Sequence, residues 1–487
     1  MQIPKKINNL IFDKEINPVS GLYCPKNNPH SGKVICQLAC SDNRDVNNAA
    51  KIAKKSYKAW SETPPVKRGE ILYAIANRME SKLQKIAEIV SLETGKSKKD
   101  ALGETNGAIA LARFFAGEGQ RLYGRTTTSV TVNKYAMTIR EPVGVAGLII
   151  SANTPIANIA WKVFPALVCG NVAILKASED SPVIAWFFGK LCAEGGLPKG
   201  VLSVIHGKGT EAGAAIVEHP EVNLISFTGS TAVGKYIAEV AGKRLAKISL
   251  ELGGKNPLII CDDADFNNAI KWSLLSSFSN AGQRCAASSR IIVFNSIYEK
   301  FKENFIRETR KLKIGPKDSD DLGPVINEKQ LDKMLTFLES AKKTGAKIVY
   351  GGARMTDIEH KDGYYLAPTI VEGAKPEDDI SRQELFGPIV CLYKVKNYQE
   401  ALALANNSPY GLTACIHTKN VHRATDFTRM VEAGVVVING GTYGSEPHMP
   451  FGGVKDSGNG TREPGPEALD VYSNIKDIYQ IVEPDQI

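Results

Sequence analysis

"VGVAGLIISANTPIANIAWKVFPALVCGNVAILKASED", Val143 to Asp180, is the stretch on which the fold turns. It opens with an apolar run, 143–150, of strand length and far short of the about 20 residues that span a membrane. Pro155 to Val168 then reads as a helix, and a second apolar strand follows at 171–177. Continuous apolar strands joined by helical crossovers specify a parallel sheet covered on both faces. The alternation continues with "VLSVIHG" (201–207), "NLISFTGS" (223–230), a helix over Thr231 to Val240, and "AKISLEL" (246–252). A second α/β series follows. It comprises "PLIICDD", a helix ending near Ser279, then "RIIVF", "KIVYGG", "PIVCLYKV" and "GVVVING". Ligands are expected at the carboxyl ends of strands in such sheets.

Before this stretch, Val66 to Leu92 predicts one long amphipathic helix, with Ile71, Leu72, Ile75, Met79, Leu83, Ile86 and Ile89 at helical spacing and Gly95 as its stop. Arg125 to Pro142 is rich in Thr, Val and Tyr and reads as one or two exposed strands. The tail, Ala468 to Val482, alternates in the same way. Such edges need partners.

A chain of 487 residues implies two or three domains. Its net charge of +8 is spread over helix-like stretches, so no nucleic-acid partner is expected. The start, "MQIPKKINNLIFDKE", has no apolar signal stretch, and no membrane span is expected. The cysteines at 24, 36, 40, 169, 192, 261, 285, 391 and 415 are odd in number and form no CxxC pair. "CQLAC" (Cys36 to Cys40) reads as two thiols on or near a strand, and a reducing, cytoplasmic setting is expected. The seven histidines form no HExxH-like pair, and no metal is expected.

Several strand ends carry polar residues with two readings each. Lys176 and Glu179, in "LKASED", suit ribose hydroxyls, or else belong to a helix start with Glu in its first turn. "FTGSTAVG" (Phe227 to Gly234) offers backbone amides at a helix N-terminus for a pyrophosphate, or is a plain glycine turn. "GKGTEAG" (Gly207 to Gly213) is one residue off a GxGxxG spacing, and the missing Lys-Ser/Thr argues against a P-loop. Glu251, in "ELGGKNP", is placed as a general base or as an ion-paired edge residue. Cys285, in "SFSNAGQRCAASSR" (Ser277 to Arg290), has small neighbours that leave room for a substrate. It is the best candidate nucleophile, the alternative being an inert turn cysteine. A nucleophilic role calls for access and a lowered pKa. Cys169, Cys261 and Cys391 read as buried small hydrophobes.

"SFTGS", "LELGGKNP", "NAGQRC", "QELFGPIV" and "PFGGVKDSGNG", in this order and at these separations, resemble the aldehyde dehydrogenase superfamily over nearly the whole chain. The resemblance implies two doubly wound Rossmann-like domains and a small β oligomerisation arm. The expected divisions are 1–123 and 141–252 for NAD binding, 253–452 for catalysis, and 124–140 with 453–487 for the arm and tail. It implies that Cys285 attacks the aldehyde, that Asn153 with the Cys285 amide stabilises the oxyanion, and that Glu251 activates water to hydrolyse the thioester. Lys162 is implied as a helper that orders the site around Asn153. Cofactor contacts are implied at Ser151, Lys176, Glu179 and Gly209, then at Gly229, Ser230 and Gly234. Leu252, Gly253, Glu384 and Phe386 complete that set. NAD is expected over NADP, because Glu179 would repel a 2′-phosphate. A homodimer or homotetramer is expected. The chain departs from the family pattern at Ser151-Ala152, where Pro and an aromatic residue are usual, and at Ala177, where a proline is usual.

Arg284, directly before the candidate nucleophile, resembles forms that oxidise semialdehydes bearing a carboxylate or phosphate. Its alternative is a structural ion pair, and Arg462 is a second candidate anion ligand. The small-molecule partner is therefore expected to be a polar or acidic semialdehyde. Two rival readings are a CoA-acylating dehydrogenase, which the presence of Glu251 opposes, and a non-catalytic NAD-binding protein, which the joint presence of Cys285, Asn153 and Glu251 opposes.

Overall fold

The computed structural model describes residues 3–483. Two seven-stranded sheets organise them. In the first, the strands run in the order Lys247–Glu251, Leu224–Thr228, Val145–Ile149, Val172–Lys176, Leu202–Ile205, Asn9–Ile11, Lys14–Ile16. The first five are mutually parallel. Val145–Ile149, Val172–Lys176 and Leu202–Ile205 are buried throughout, which explains their unbroken apolar sequences. The short N-terminal pair, invisible in the apolar pattern, adds antiparallel at one edge. Chain order reverses between Val145–Ile149 and Leu224–Thr228, opening a crevice at their carboxyl ends.

The second sheet runs Lys347–Tyr350, Thr369–Glu372, Ile389–Val395, Ser288–Phe294, Asn256–Ile260, Thr413–His417, Val435–Ile438. It too is parallel, apart from its first edge strand. In this second sheet the candidate site residues lie at the amino ends of strands instead. The chain leaves the first sheet at Glu251 and enters the second at Asn256, so only Leu252 to Lys255 connect them. A link this short makes the amino ends of the second sheet face the carboxyl ends of the first. Cys285, Glu384 and Leu412 all lie just before strands of this second sheet.

Three local expectations are corrected. The helix expected over Val66 to Leu92 is two, Pro65–Ser81 and Leu83–Thr94, broken at Lys82, whose φ and ψ are −115° and 15°. The Ser81 hydroxyl donates to the Arg78 carbonyl there, competing with the helical ladder. The tail begins with a short helix, Ala468–Tyr472, before its strand Ser473–Ile481. Cys24 and Cys40 are joined as a disulfide, with Cα atoms 6.0 Å apart, where free thiols were expected. Antiparallel pairing sets Cys24 opposite Leu38 and so brings Cys40 close.

The arm is a three-stranded sheet. Lys134–Pro142 pairs along its full length with Ser473–Ile481, and at its other edge with Thr126–Thr127. Tyr135, Ile139, Ile475, Tyr479 and Ile481 are exposed on it.

Candidate active site

Helix Phe266–Phe278 ends before the loop that carries Cys285. Asn280, Ala281 and Gly282 follow with φ of 53°, 51° and 67°, a left-handed reversal. A side chain at Gly282 would collide with the Gly387 carbonyl. The loop is tied on two sides. Gln283 donates through Nε2 to the Pro324 carbonyl (3.2 Å) and accepts from the Ile326 amide (2.9 Å). Asn256 donates through Nδ2 to the carbonyls of Cys285 (2.7 Å) and Ala287 (2.9 Å). Cys285 is partly exposed and lies in an apolar group with Trp161, Leu412, Tyr443 and Phe451. Cys169, Cys261 and Cys391 are buried, as their strand or helix-end settings implied.

The expectation of a lowered thiol pKa does not hold in this state. Burial pushes the Cys285 thiol up to about 12, and the Glu384 and Glu251 carboxylates add to the effect. The Ala286 amide and the Arg284 charge oppose it. Neither element flanking Cys285 in the chain offers a helix N-terminus to the sulfur: the helix before it ends at Phe278, and a strand follows at Ser288.

Asn153 follows strand Val145–Ile149 at the reversal of strand order. Its Nδ2 donates to the Gln283 carbonyl (3.1 Å), and its Oδ1 accepts from the Ser151 hydroxyl (2.8 Å). This side-chain amide therefore reaches across the cleft to the Cys285 loop. Glu251 closes strand Lys247–Glu251, and it is 3% exposed with neither carboxylate oxygen hydrogen-bonded. That excludes the ion-paired reading. Burial raises its pKa well above the ordinary value, as does the charge of Glu463, while Lys162 and Arg462 act the other way.

Lys162 makes no hydrogen bond to Asn153 among the described residues. Its fully buried ammonium donates to Glu463 (2.7 Å) and to the Ser226 hydroxyl (2.7 Å). Arg462 is also redirected, since it donates to the carbonyls of Gly453, Gly460 and Thr461. Arg284 shows its structural alternative in part. Its Nη2 lies 3.6 Å from Asp100 and its guanidinium covers the Tyr443 ring at 5.0 Å, but its Nε has no partner.

A profile of the aldehyde dehydrogenase family matches residues 19–478. The chain belongs to the aldehyde dehydrogenase family. An alpha-ketoglutaric semialdehyde dehydrogenase of Bacillus subtilis is 37% identical over 474 residues, covering 97% of each chain. A 2,5-dioxopentanoate dehydrogenase of Saccharolobus solfataricus is 36% identical, covering 96% of this chain and 98% of that one. A Staphylococcus aureus betaine aldehyde dehydrogenase, solved in complex with NAD+, superposes with a TM-score of 0.96 at 32% identity, covering 98% and 95% of the two chains.

The dinucleotide residues that this family would use fit such a cofactor. Lys176 and Glu179 pair at 3.1 Å at the end of their strand, and the Gly209 amide lies against the Glu179 carboxylate. Glu179 sits in a turn before helix Pro182–Glu194, so the first-turn reading of this residue is set aside. Gly209 opens a π-helical turn, Gly209–Gly213. Helix Thr231–Gly242 begins after Ser230, whose side chain gives it no cap, so its first amides are free for an anion. A side chain at Gly229 would strike Phe227, and one at Gly234 would come within 2.5 Å of Leu252. Nearer Cys285, Glu384 accepts from the Gly254 amide (3.0 Å) and packs against the bare Cα of Gly253. Burial raises its pKa to about 7. Phe386 follows with φ of 59°.

The sequence reading missed Lys96, Glu104, Asn280, Gln283 and Glu463. Gln283 and Asn280 lie inside the quoted "NAGQRC", and their flanking position was the available signal. Nothing in the local pattern around Lys96, Glu104 or Glu463 marks them, because the pair Lys96 and Glu104 acts on Asn153 and Ile156, 57 and 52 residues away, and Glu463 pairs with Lys162, 301 residues away.

Proposed function

We propose that this aldehyde dehydrogenase oxidises a small acidic semialdehyde to the carboxylic acid with NAD+, through a covalent intermediate on Cys285. The observation that carries the reading is the convergence of three groups on one cleft. These are a half-exposed thiol, an amide side chain reaching to the thiol's own loop, and an unpaired buried carboxylate whose charge is felt by the thiol.

The Cys285 sulfur, once deprotonated, attacks the carbonyl carbon, and the new C–S bond sends the carbonyl electron pair to oxygen. Asn153 Nδ2 and the Cys285 amide donate to that oxyanion. NAD, when bound, supplies the acceptor for the hydride that leaves the former carbonyl carbon. A thioester then remains on Cys285. Glu251 takes a proton from water as the water adds to the thioester, and breaking of the C–S bond releases acid and thiolate. Lys162, Glu463 and Arg462 tune Glu251 through charge.

The preference for an acidic substrate is supported by Arg284, adjacent to Cys285 with an unpartnered Nε, and by the names of two relatives. NAD over NADP is supported by the Glu179 carboxylate at the ribose end. The proposed units are the cofactor-binding residues 1–123 and 141–252, the catalytic residues 253–452, and the arm with its tail. The exposed apolar residues of the arm support a homodimer or homotetramer. A cytoplasmic setting is supported by the free thiol of Cys285, and the Cys24–Cys40 disulfide weighs against it.

The test is NADH formation across aliphatic, aromatic, phosphorylated and acidic aldehydes, with NAD, with NADP, and with or without CoA. Fastest turnover of acidic semialdehydes with NAD, releasing free acid, is expected. Turnover confined to long-chain or aromatic aldehydes would reject the substrate class. Dependence on CoA would reject hydrolysis by Glu251. Silence with NAD still bound would favour a non-catalytic protein.

A further inference from the structure

We propose that Lys96 is a positioning residue for the oxyanion site, setting the backbone of Asn153 from a buried anchor on Glu104. The proposal rests on the reading of Asn153 as an oxyanion donor.

Lys96 follows Gly95, whose φ of 75° ends helix Leu83–Thr94 in the left-handed region. No side chain is tolerated at Gly95, where a Cβ would lie 2.7 Å from Pro324. This turn sends the Lys96 side chain inward. It is 1% exposed, and its partner Glu104 is 5% exposed. The ammonium lies 2.5 Å from Glu104 Oε2 and donates to the Asn153 carbonyl at 2.6 Å.

Glu104 has a second task. Its Oε1 accepts from the amides of Ile156 (3.0 Å) and Ala157 (3.3 Å), in the first turn of helix Pro155–Val168. The N-cap of that helix, Thr154, gives it no side-chain capping bond. One ion pair thus holds both the carbonyl of Asn153 and the helix start that follows it. The Asn153 carbonyl also receives a longer bond from Asn280 Nδ2, at 3.3 Å, from the Cys285 loop. Asn153 is therefore fixed at its backbone by Lys96 and points its side-chain amide at the Gln283 carbonyl.

A buried ion pair adds little net stability compared with apolar packing. What this pair supplies is geometry at a donor whose placement governs rate. A shift of about 1 Å at such a group costs roughly a hundredfold.

The test is stopped-flow NADH formation in single turnover with 2,5-dioxopentanoate, for Lys96→Met, Asn153→Ala and the double variant, with NAD affinity and thermal midpoint measured alongside. Lys96→Met is expected to slow hydride transfer by about tenfold, within the cost of a small misplacement, with NAD affinity changed by less than about twofold. Asn153→Ala is expected to slow it by about a hundredfold. The double variant should be no slower than Asn153→Ala, because Lys96 acts through Asn153. Multiplying losses in the double variant would overturn the role of Lys96 alone. Parent-like rates in Asn153→Ala would overturn the oxyanion reading and this proposal with it. If Lys96→Met does not fold, Glu104→Gln keeps an acceptor for the helix amides while removing the anchoring charge. It is held to the same two criteria.

Discussion

At the scale of the residue, the site is defined by groups whose charges the protein has left unsettled. Cys285 is held as a thiol with its pKa near 12, and burial, with the charge of Glu463, raises the Glu251 carboxyl well above its ordinary pKa. Each must lose a proton to act, so activity should rise with pH. The rate of NADH formation is expected to climb between about pH 7 and 9, by at most about tenfold per unit. A flat profile with constant cofactor affinity would contradict this. Glu251→Gln should leave the first turnover near the parent rate and then stall, which a burst of NADH would reveal. Arg284→Met should raise KM for an acidic semialdehyde about tenfold or more, the worth of a charge-assisted hydrogen bond, and leave neutral aldehydes unchanged. Equal effects on both classes would mean that Arg284 serves only Asp100 and Tyr443.

Among the elements, the helix starts around the site depend on carboxylates from elsewhere in the chain. Helices Pro155–Val168 and Pro182–Glu194 both begin with proline and lack a side-chain cap of their own. Glu104 caps the first, and Glu93 caps the second through the amides of Val183 (2.6 Å) and Ile184 (2.9 Å). Glu93→Ala should cost about 1–2 kcal/mol at that cap, seen as a lower thermal midpoint. An unchanged midpoint would show that water replaces the carboxylate. These caps also mark the limit of what the sequence makes legible. The parallel strands announce themselves because burial on both faces forces unbroken apolar runs, as at 143–150 and 171–177. Cys285 and Glu251 could be picked out because their motifs are local. Glu93, Glu104 and Lys96 could not, since a carboxylate that caps a helix some 50–90 residues away leaves no mark on its own neighbourhood. The short edge strands at Asn9–Ile11 and Lys14–Ile16 escaped for a different reason, being too brief to show a period.

For the whole molecule, the decisive fact is the four-residue passage from Glu251 to Asn256. It turns the carboxyl ends of one sheet toward the amino ends of the other, so Glu251 and Asn153 approach from one side and Cys285 and Glu384 from the other. The motifs revealed the participants, while their opposition followed only from the topology. Asn327 crosses the same cleft to Asp180 (2.8 Å), next in sequence to Glu179. The arm extends the argument beyond one chain. Replacing both Ile475 and Tyr479 with Asp on its exposed face should shift sedimentation toward smaller species, since charge on an apolar interface is not readily buried. Unchanged sedimentation would remove this face from assembly.

The covalent step at Cys285 underlies every other role assigned to the site. The measurement is peptide mass analysis of the Glu251→Gln protein quenched after mixing with NAD and 2,5-dioxopentanoate. An acyl adduct is expected on the peptide bearing Cys285, formed in step with NADH and absent in Cys285→Ala. An adduct on another cysteine, or NADH formed by Cys285→Ala at the parent rate, would contradict it.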